Sequence, residues 1–177
     1  MPAAIDQPIT LEQVVQFLAT APFFEGLDAF ERGEVVRIME VQRLQAGEEV
    51  FHEGSPGDAW HVIFEGKARV LKSSAKGPVE TAQLGPGACF GEMAVLDGLP
   101  RSAAVVAAEP LTLFRFRKSQ FEKLLSEGSL GAYKLVVAMA RLLSKRHREL
   151  THQLMDLTSD HGSKRPEPQL ERFQVSE

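Results

Sequence analysis

Residues 90–105 read Phe-Gly-Glu-Met-Ala-Val-Leu-Asp-Gly-Leu-Pro-Arg-Ser-Ala-Ala-Val. Gly91 and Glu92 stand at a predicted helix start, and Arg101 and Ser102 follow at the end of the same stretch. A helix N-terminus presents N–H groups without intrahelical partners and a partial positive charge, which suits an anion. Arg101 adds a permanent planar cation able to hold two phosphate oxygens at once. Ser102 offers a hydroxyl to a phosphate or to a base edge. Glu92 cannot favour an anion by its charge and needs another partner. A ribose hydroxyl is suitable, because a carboxylate accepts its hydrogen bond. With Val95, Leu96, Ala103 and Val105 as apolar surroundings, the set predicts a site for a nucleotide of low phosphate charge.

Other chemistries find weaker footing. Five histidines are present, but none pairs at ligand spacing: His52 and His61 fall on separate predicted strands, and His147 and His152 lie off a common helix face, so no metal is expected. Cys89 is the single cysteine, which excludes disulfides within the chain and cysteine-rich metal sites. No Ser-His-Asp, Cys-His or paired-carboxylate pattern emerges, and the chain is not expected to be an enzyme. The run Lys145-Arg146-His147-Arg148 could suggest nucleic acid. It sits within a heptad pattern, where flanking charges normally solvate a coil, and the net charge of −4 gives no general attraction to polyanions. No nucleic-acid partner is expected. No apolar run reaches the ~20 residues of a membrane span, and no signal peptide is visible, so a cytoplasmic location without membrane is expected.

The elements that must position the cassette can be read from pattern. Thr10 and Gln13 form a capping box opening a helix with Leu11, Val14, Val15 and Leu18 on one face. Ala21-Pro22 ends it. Asp28 is the expected N-cap of a second helix, with Phe30, Val35, Ile38 and Met39 available for packing. From Val41 to about Arg117 short apolar or alternating runs (49–51, 60–64, 68–72, 79–84, 103–107 and 111–117) are separated by Gly- and Pro-rich turns, the texture of an antiparallel β-roll or barrel. The one helical interruption is Glu92 to Asp97. A short helix over 118–126 and a long one from about Ser129 to Leu157 complete the reading: mainly β with flanking helices. In the long helix Tyr133, Ala140, His147 and Leu154 fall on one heptad register and Val136, Leu143, Leu150 and Leu157 on the other. Helix packing on the roll alone is the alternative to a coil. A chain of 177 residues supports one such domain.

Gly-Glu-Met-Ala followed by Pro-Arg-Ser-Ala resembles the phosphate-binding cassette of cyclic nucleotide-binding domains. Gly47-Glu48-Glu49-Val50-Phe51, Gly54-Ser55-Pro56-Gly57-Asp58 and Ile63-Phe64-Glu65-Gly66 recur upstream at that family's spacing. The resemblance covers about residues 10–157. It implies an N-terminal arm (1–9), a binding domain (10–127), a long dimerisation helix (128–157) and a disordered tail (158–177). It also implies a cyclic purine nucleotide as ligand, cAMP with cGMP as the alternative, and no cofactor. The phosphate would dock on Gly91, Glu92, Met93, Arg101 and Ser102, and the 2′-hydroxyl on Glu92. The base would meet Val70, Ala82, Arg146 and His147; the last two stand where the catabolite-activator type carries small hydroxyl residues. A homodimer through the long helix and an unidentified downstream protein are the implied partners. Three rivals remain: the sensor part of a catabolite-activator-type transcription regulator, a kinase regulatory subunit, and a domain that binds no nucleotide. The short polar stretch after Leu157 speaks against the first, the lack of an Arg-Arg-x-Ser/Ala segment in residues 1–40 against the second, and the pair Glu92 and Arg101 against the third.

Overall fold

Helix α1 (Leu11–Thr20) opens on the predicted capping box, with Gln13 N–H donating to Thr10 Oγ1 at 3.2 Å and Thr10 N–H to Gln13 Oε1 at 2.9 Å. In this computed structural model, which describes residues 8–159, its inward stripe is buried Val14 and Leu18 with half-buried Phe17. Leu11 and Val15 are exposed, because the stripe is turned away from them. A 3₁₀ turn (Pro22–Phe24) leads to α2 (Ala29–Arg37), opened by a second capping box between Asp28 and Glu31. Val35 packs inward as expected, but Phe30 is 73% exposed and Met39 belongs to the first strand rather than to α2.

Eight strands follow: β1 (Met39–Leu44), β2 (Glu49–Phe51), β3 (Ala59–Glu65), β4 (Ala68–Ser74), β5 (Gly77–Leu84), β6 (Cys89–Phe90), β7 (Ala104–Ala107) and β8 (Leu111–Arg117). They form two antiparallel four-stranded sheets in the orders β1-β8-β3-β6 and β2-β7-β4-β5. This is the expected β-roll with flanking helices. The pairing reveals β6, too short to read from sequence, and starts β1 two residues before the change of texture at Val41. Between the sheets lies a core drawn from both, with Leu44, Ile63, Phe90, Leu111 and Leu113 from one and Ala68, Val105 and Ala107 from the other.

The outer face of the first sheet is also covered. Trp60 stacks on Phe116 at 4.0 Å and meets Phe23 and, from α4 (Lys118–Ser126), Phe121. Phe17 of α1 packs edge-on against Phe64 and Phe114. Burial on both faces explains why Ala59–Ile63 is an unbroken buried run while β5 is mostly exposed.

Helix α5 (Leu130–Ser159) starts at Ser129, whose Oγ accepts the Ala132 N–H at 3.2 Å and donates to Glu34 at 2.8 Å. Lys134 pairs with buried Glu31 at 2.7 Å. Residues up to Met139 make one compact unit and those from Ala140 a second. In the second unit Leu150, Leu154 and Leu157 are exposed. The helix continues two residues past the expected end at Leu157. The rest of the predicted tail, from residue 160, and arm residues 1–7 lie outside the described residues. Among the described residues no helix is long and apolar enough to cross a membrane.

One polar residue lies deep in β3. His61 stacks on Phe90 at 5.2 Å and tilts against Phe51 at 5.9 Å, and its Nδ1 has no hydrogen-bond partner among the described residues. Burial, aided by the positive charges of Arg101 and Arg115, lowers its pKa to about 3. The unfolded chain therefore binds a proton near pH 6.5 that the folded chain refuses, so this contribution to stability is complete above about pH 6.5 and shrinks as pH falls towards 3. Between about pH 7.5 and pH 5 the loss is about 2 kcal/mol. His61→Phe keeps a ring on Phe90 and removes the titration. Urea unfolding of parent and variant at these two pH values should show the parent losing more stability on acidification. Equal losses would mean that His61 protonates freely in the folded protein.

Candidate functional site

Strand β6 pairs with β3 through His61↔Phe90 and Val62↔Cys89, and the chain then turns at Gly91 into the short helix α3 (Glu92–Asp97), at the limits expected. Gly91 has φ +77°, and a Cβ there would lie 2.6 Å from Arg101 Nη1. Both the backbone conformation and the closeness of the guanidinium require glycine. Gly57 serves a second approach: a Cβ on it would sit 2.1 Å from Ala94 Cβ, so its absence lets α3 settle against the segment leading into β3.

Arg101 folds back against this turn and is 4% exposed. Its Nη1 donates to Gly91 O at 2.9 Å and its Nη2 to Ala59 O at 2.7 Å. The guanidinium carbon lies 4.0 Å above the Phe51 ring, a cation–π contact strengthened by desolvation. Asp58 Oδ1 is 3.5 Å from Nη2, while Asp58 Oδ2 accepts from Arg115 at 2.6 Å. Arg115 is within 3.6 Å of Glu40, which Arg117 holds at 2.7 Å, so charge of alternating sign runs from the cassette across β8 to β1. Burial pulls the Arg101 pKa below its ordinary value, and Asp58 opposes that pull. Arginine remains a cation over the accessible pH range. Its Nε is buried and has no hydrogen-bond partner among the described residues.

The backbone of Arg101 is fixed as firmly as its side chain. Its N–H donates to Ser55 O and its C=O accepts from Gly54 N–H, both at 2.8 Å. Glu92, at the first position of α3, is 1% exposed, and its negative charge acts on Arg101. Met93 is 44% exposed, and Ser102, also exposed, places its Oγ 3.9 Å from Met93 Sδ. Buried cation, buried carboxylate and glycine turn thus form one cluster, with Met93 and Ser102 at its rim. Such a cluster can present N–H donors to an anion and a carboxylate to a hydroxyl.

Of the remaining predicted residues, Val70 and Ala82 face each other across β4 and β5, and Val70 also opposes Val105 of β7. Directly paired residues share a sheet face, so the three make an apolar strip. Arg146 is half-buried and His147 exposed on α5, both in the second unit. Sequence reasoning missed the supports of Arg101. Phe51 and Asp58 stood inside quoted motifs, but their spacing carried no hint of their partner. The Ala59 contact uses a backbone carbonyl and leaves no sequence signal. Nothing in the sequence around His61 signals its burial.

A family model described as the cyclic nucleotide-binding domain matches residues 41–127, a span running from within β1 to just past α4 with the whole cassette. The cAMP-dependent protein kinase regulatory subunit of Aspergillus fumigatus is 34% identical over 109 residues, covering 62% of this chain and 26% of that protein. The chain thus spans about a quarter of the length of the curated relatives it matches. A cyclic nucleotide-binding domain from Methylobacillus flagellatus has a TM-score of 0.73 at 27% identity over 83% of each chain. The N-terminal domain of a transcriptional regulator from Streptomyces coelicolor has a TM-score of 0.64 at 31% identity, over 73% of this chain and 94% of that one. Through residues 41–127, with a fold shared by these solved structures, the chain belongs to the cyclic nucleotide-binding domain family.

Proposed function

We propose that this chain is a cyclic nucleotide sensor whose ligand is cAMP, with cGMP bound appreciably. The observation that carries the reading is the burial of Glu92 and Arg101 in one cluster around Gly91. The cyclic phosphate takes the first-turn N–H groups of Gly91, Glu92 and Met93 and the guanidinium N–H groups that Gly91 O and Ala59 O leave over. Glu92 accepts the ribose 2′-hydroxyl, and Ser102 borders the phosphate. The base lies on the apolar strip of Val70 and Ala82. The name of the Aspergillus fumigatus relative supports cAMP. Ligand acts by a population shift between two states of the protein, whose size is set by the difference in its affinity for them. The protein is regulatory rather than catalytic, works in the cytoplasm, dimerises through α5 and passes the signal to a downstream protein.

Calorimetric titration with cAMP tests the site. Removing one side of a buried charged contact costs about 3–5 kcal/mol, so Arg101→Ala should lose about two to three and a half decades of affinity. Because Arg101 also ties Gly91 to Ala59, Arg101→Lys is the companion variant. It keeps the charge, loses the planar fork, and should weaken binding by at least about tenfold. A loss below about fivefold in a folded Arg101→Ala protein would remove Arg101 from the site.

A parallel dimer is expected through residues 133–157, where Leu143 and Leu150 occupy one heptad register. Leu143→Glu with Leu150→Glu should give monomers by light scattering. A parent protein that is monomeric at high concentration, with and without cAMP, would end this part of the reading.

The base preference rests on Arg146 and His147. Arginine carries only donors and suits guanine O6 and N7, whereas neutral histidine can accept from adenine N6. We expect cAMP to be preferred, with cGMP within about 2 kcal/mol, or about thirtyfold. Competition between the two nucleotides on parent and Arg146→Ala protein measures this. If cGMP displaces cAMP more than about tenfold better in the parent and loses that edge in the variant, the order is reversed.

A further inference from the structure

Three chain segments meet beside the cassette. The stretch after β2 pairs with the stretch before β7 through the two backbone bonds linking Arg101 to Gly54 and Ser55. Lys72 of β4 reaches both sides of this bridge, with its Nζ 2.5 Å from Glu53 Oε1 and 2.6 Å from Ser102 O. The other Glu53 oxygen accepts the Ser73 N–H at 2.8 Å, so the carboxylate is gripped by both the side chain and the backbone of β4. These contacts sit beside an irregularity in the β4–β5 register between Val70 and Leu71, where a regular ladder gives less support.

From this geometry we infer that Lys72 and Glu53 form a latch positioning the Arg101–Ser102 segment for the ligand, an inference that rests on the nucleotide reading above. The pair is partly exposed, with Lys72 at 51% and Glu53 at 25%, and an exposed ion pair contributes little through charge alone. Its effect is geometric. One ammonium fixes the carbonyl of Ser102, the residue next to Arg101, against the strand carrying Val70. Phosphate and base subsites are thereby held at a set spacing. Hydrogen bonds from Lys72 and the Ser73 N–H lower the Glu53 pKa to about 2, so the carboxylate stays charged at any working pH.

Lys72→Met keeps the apolar stem and removes the ammonium; Lys72→Arg restores a donor. We expect Lys72→Met to weaken cAMP binding about tenfold and Lys72→Arg to recover it to within about threefold. In full-length protein without nucleotide, amide exchange at Arg101 and Gly54 should accelerate in Lys72→Met while amides of the β3–β8 ladder keep their rates. Unchanged exchange at Arg101 and Gly54 overturns the latch. Faster exchange with unchanged cAMP affinity overturns its positioning role. A parent that binds no cAMP overturns the nucleotide reading and the positioning role with it, and the exchange rates then decide alone whether the latch exists.

Discussion

Burying a guanidinium is the constraint on which this architecture turns. A charged group taken out of water is tolerated only when its donors find acceptors and its charge finds compensation. Arg101 meets that condition with two backbone carbonyls from different elements, an aromatic face, and a carboxylate at the long distance of 3.5 Å. Each support imposes a demand elsewhere. The Gly91 carbonyl is available because a left-handed glycine starts α3, and the Ala59 carbonyl because β3 begins beside that turn. Phe51 can lie beneath the cation because β2 pairs with β7 just ahead of the bridge to Arg101. Moving any one of these segments would leave a buried cation short of a partner.

Rigidity of the sheets makes such placement possible. The first sheet is sandwiched between the inter-sheet core and the aromatic layer around Trp60, so β3 cannot shift without disturbing packed rings on both sides. The second sheet has a thinner cover, and β5 is largely exposed. The cassette is anchored mainly to the first sheet, through Ala59, Asp58 and the β3–β6 pair. The strip of Val70 and Ala82 belongs to the second. The Lys72–Glu53 pair therefore matters more than its surface charge suggests, since it bridges the well-buttressed part of the site and the less constrained one.

Much of this was legible in the sequence, for identifiable reasons. Turns and caps are written in local chemistry, so Thr10, Asp28 and the limits of α3 could be placed closely. The cassette was legible because glycine, glutamate and arginine in one short stretch each do something few other residues can. Packing direction was less legible. Leu11, Val15 and Phe30 are as apolar as their buried neighbours, and only the angle of each helix on the roll decides which stripe is covered. The short strand β6 has no periodicity to detect at two residues. The supports of Arg101 are a backbone carbonyl and side chains remote in sequence, brought together by strand pairing that no local pattern encodes.

How the cluster adapts to an occupant follows from the unequal strength of its contacts. Arg101 is tied by two bonds of 2.7–2.9 Å through its side chain and two of 2.8 Å through its backbone, so it is costly to move. Met93 and Ser102 are exposed and share a weak contact of 3.9 Å between hydroxyl and sulfur. Methionine is unbranched and changes rotamer with little penalty. Freedom to adjust therefore belongs to Met93 and the Ser102 side chain, while Gly91, Glu92 and Arg101 form a fixed frame. A site divided in this way spends little of its binding free energy on reordering the charged groups.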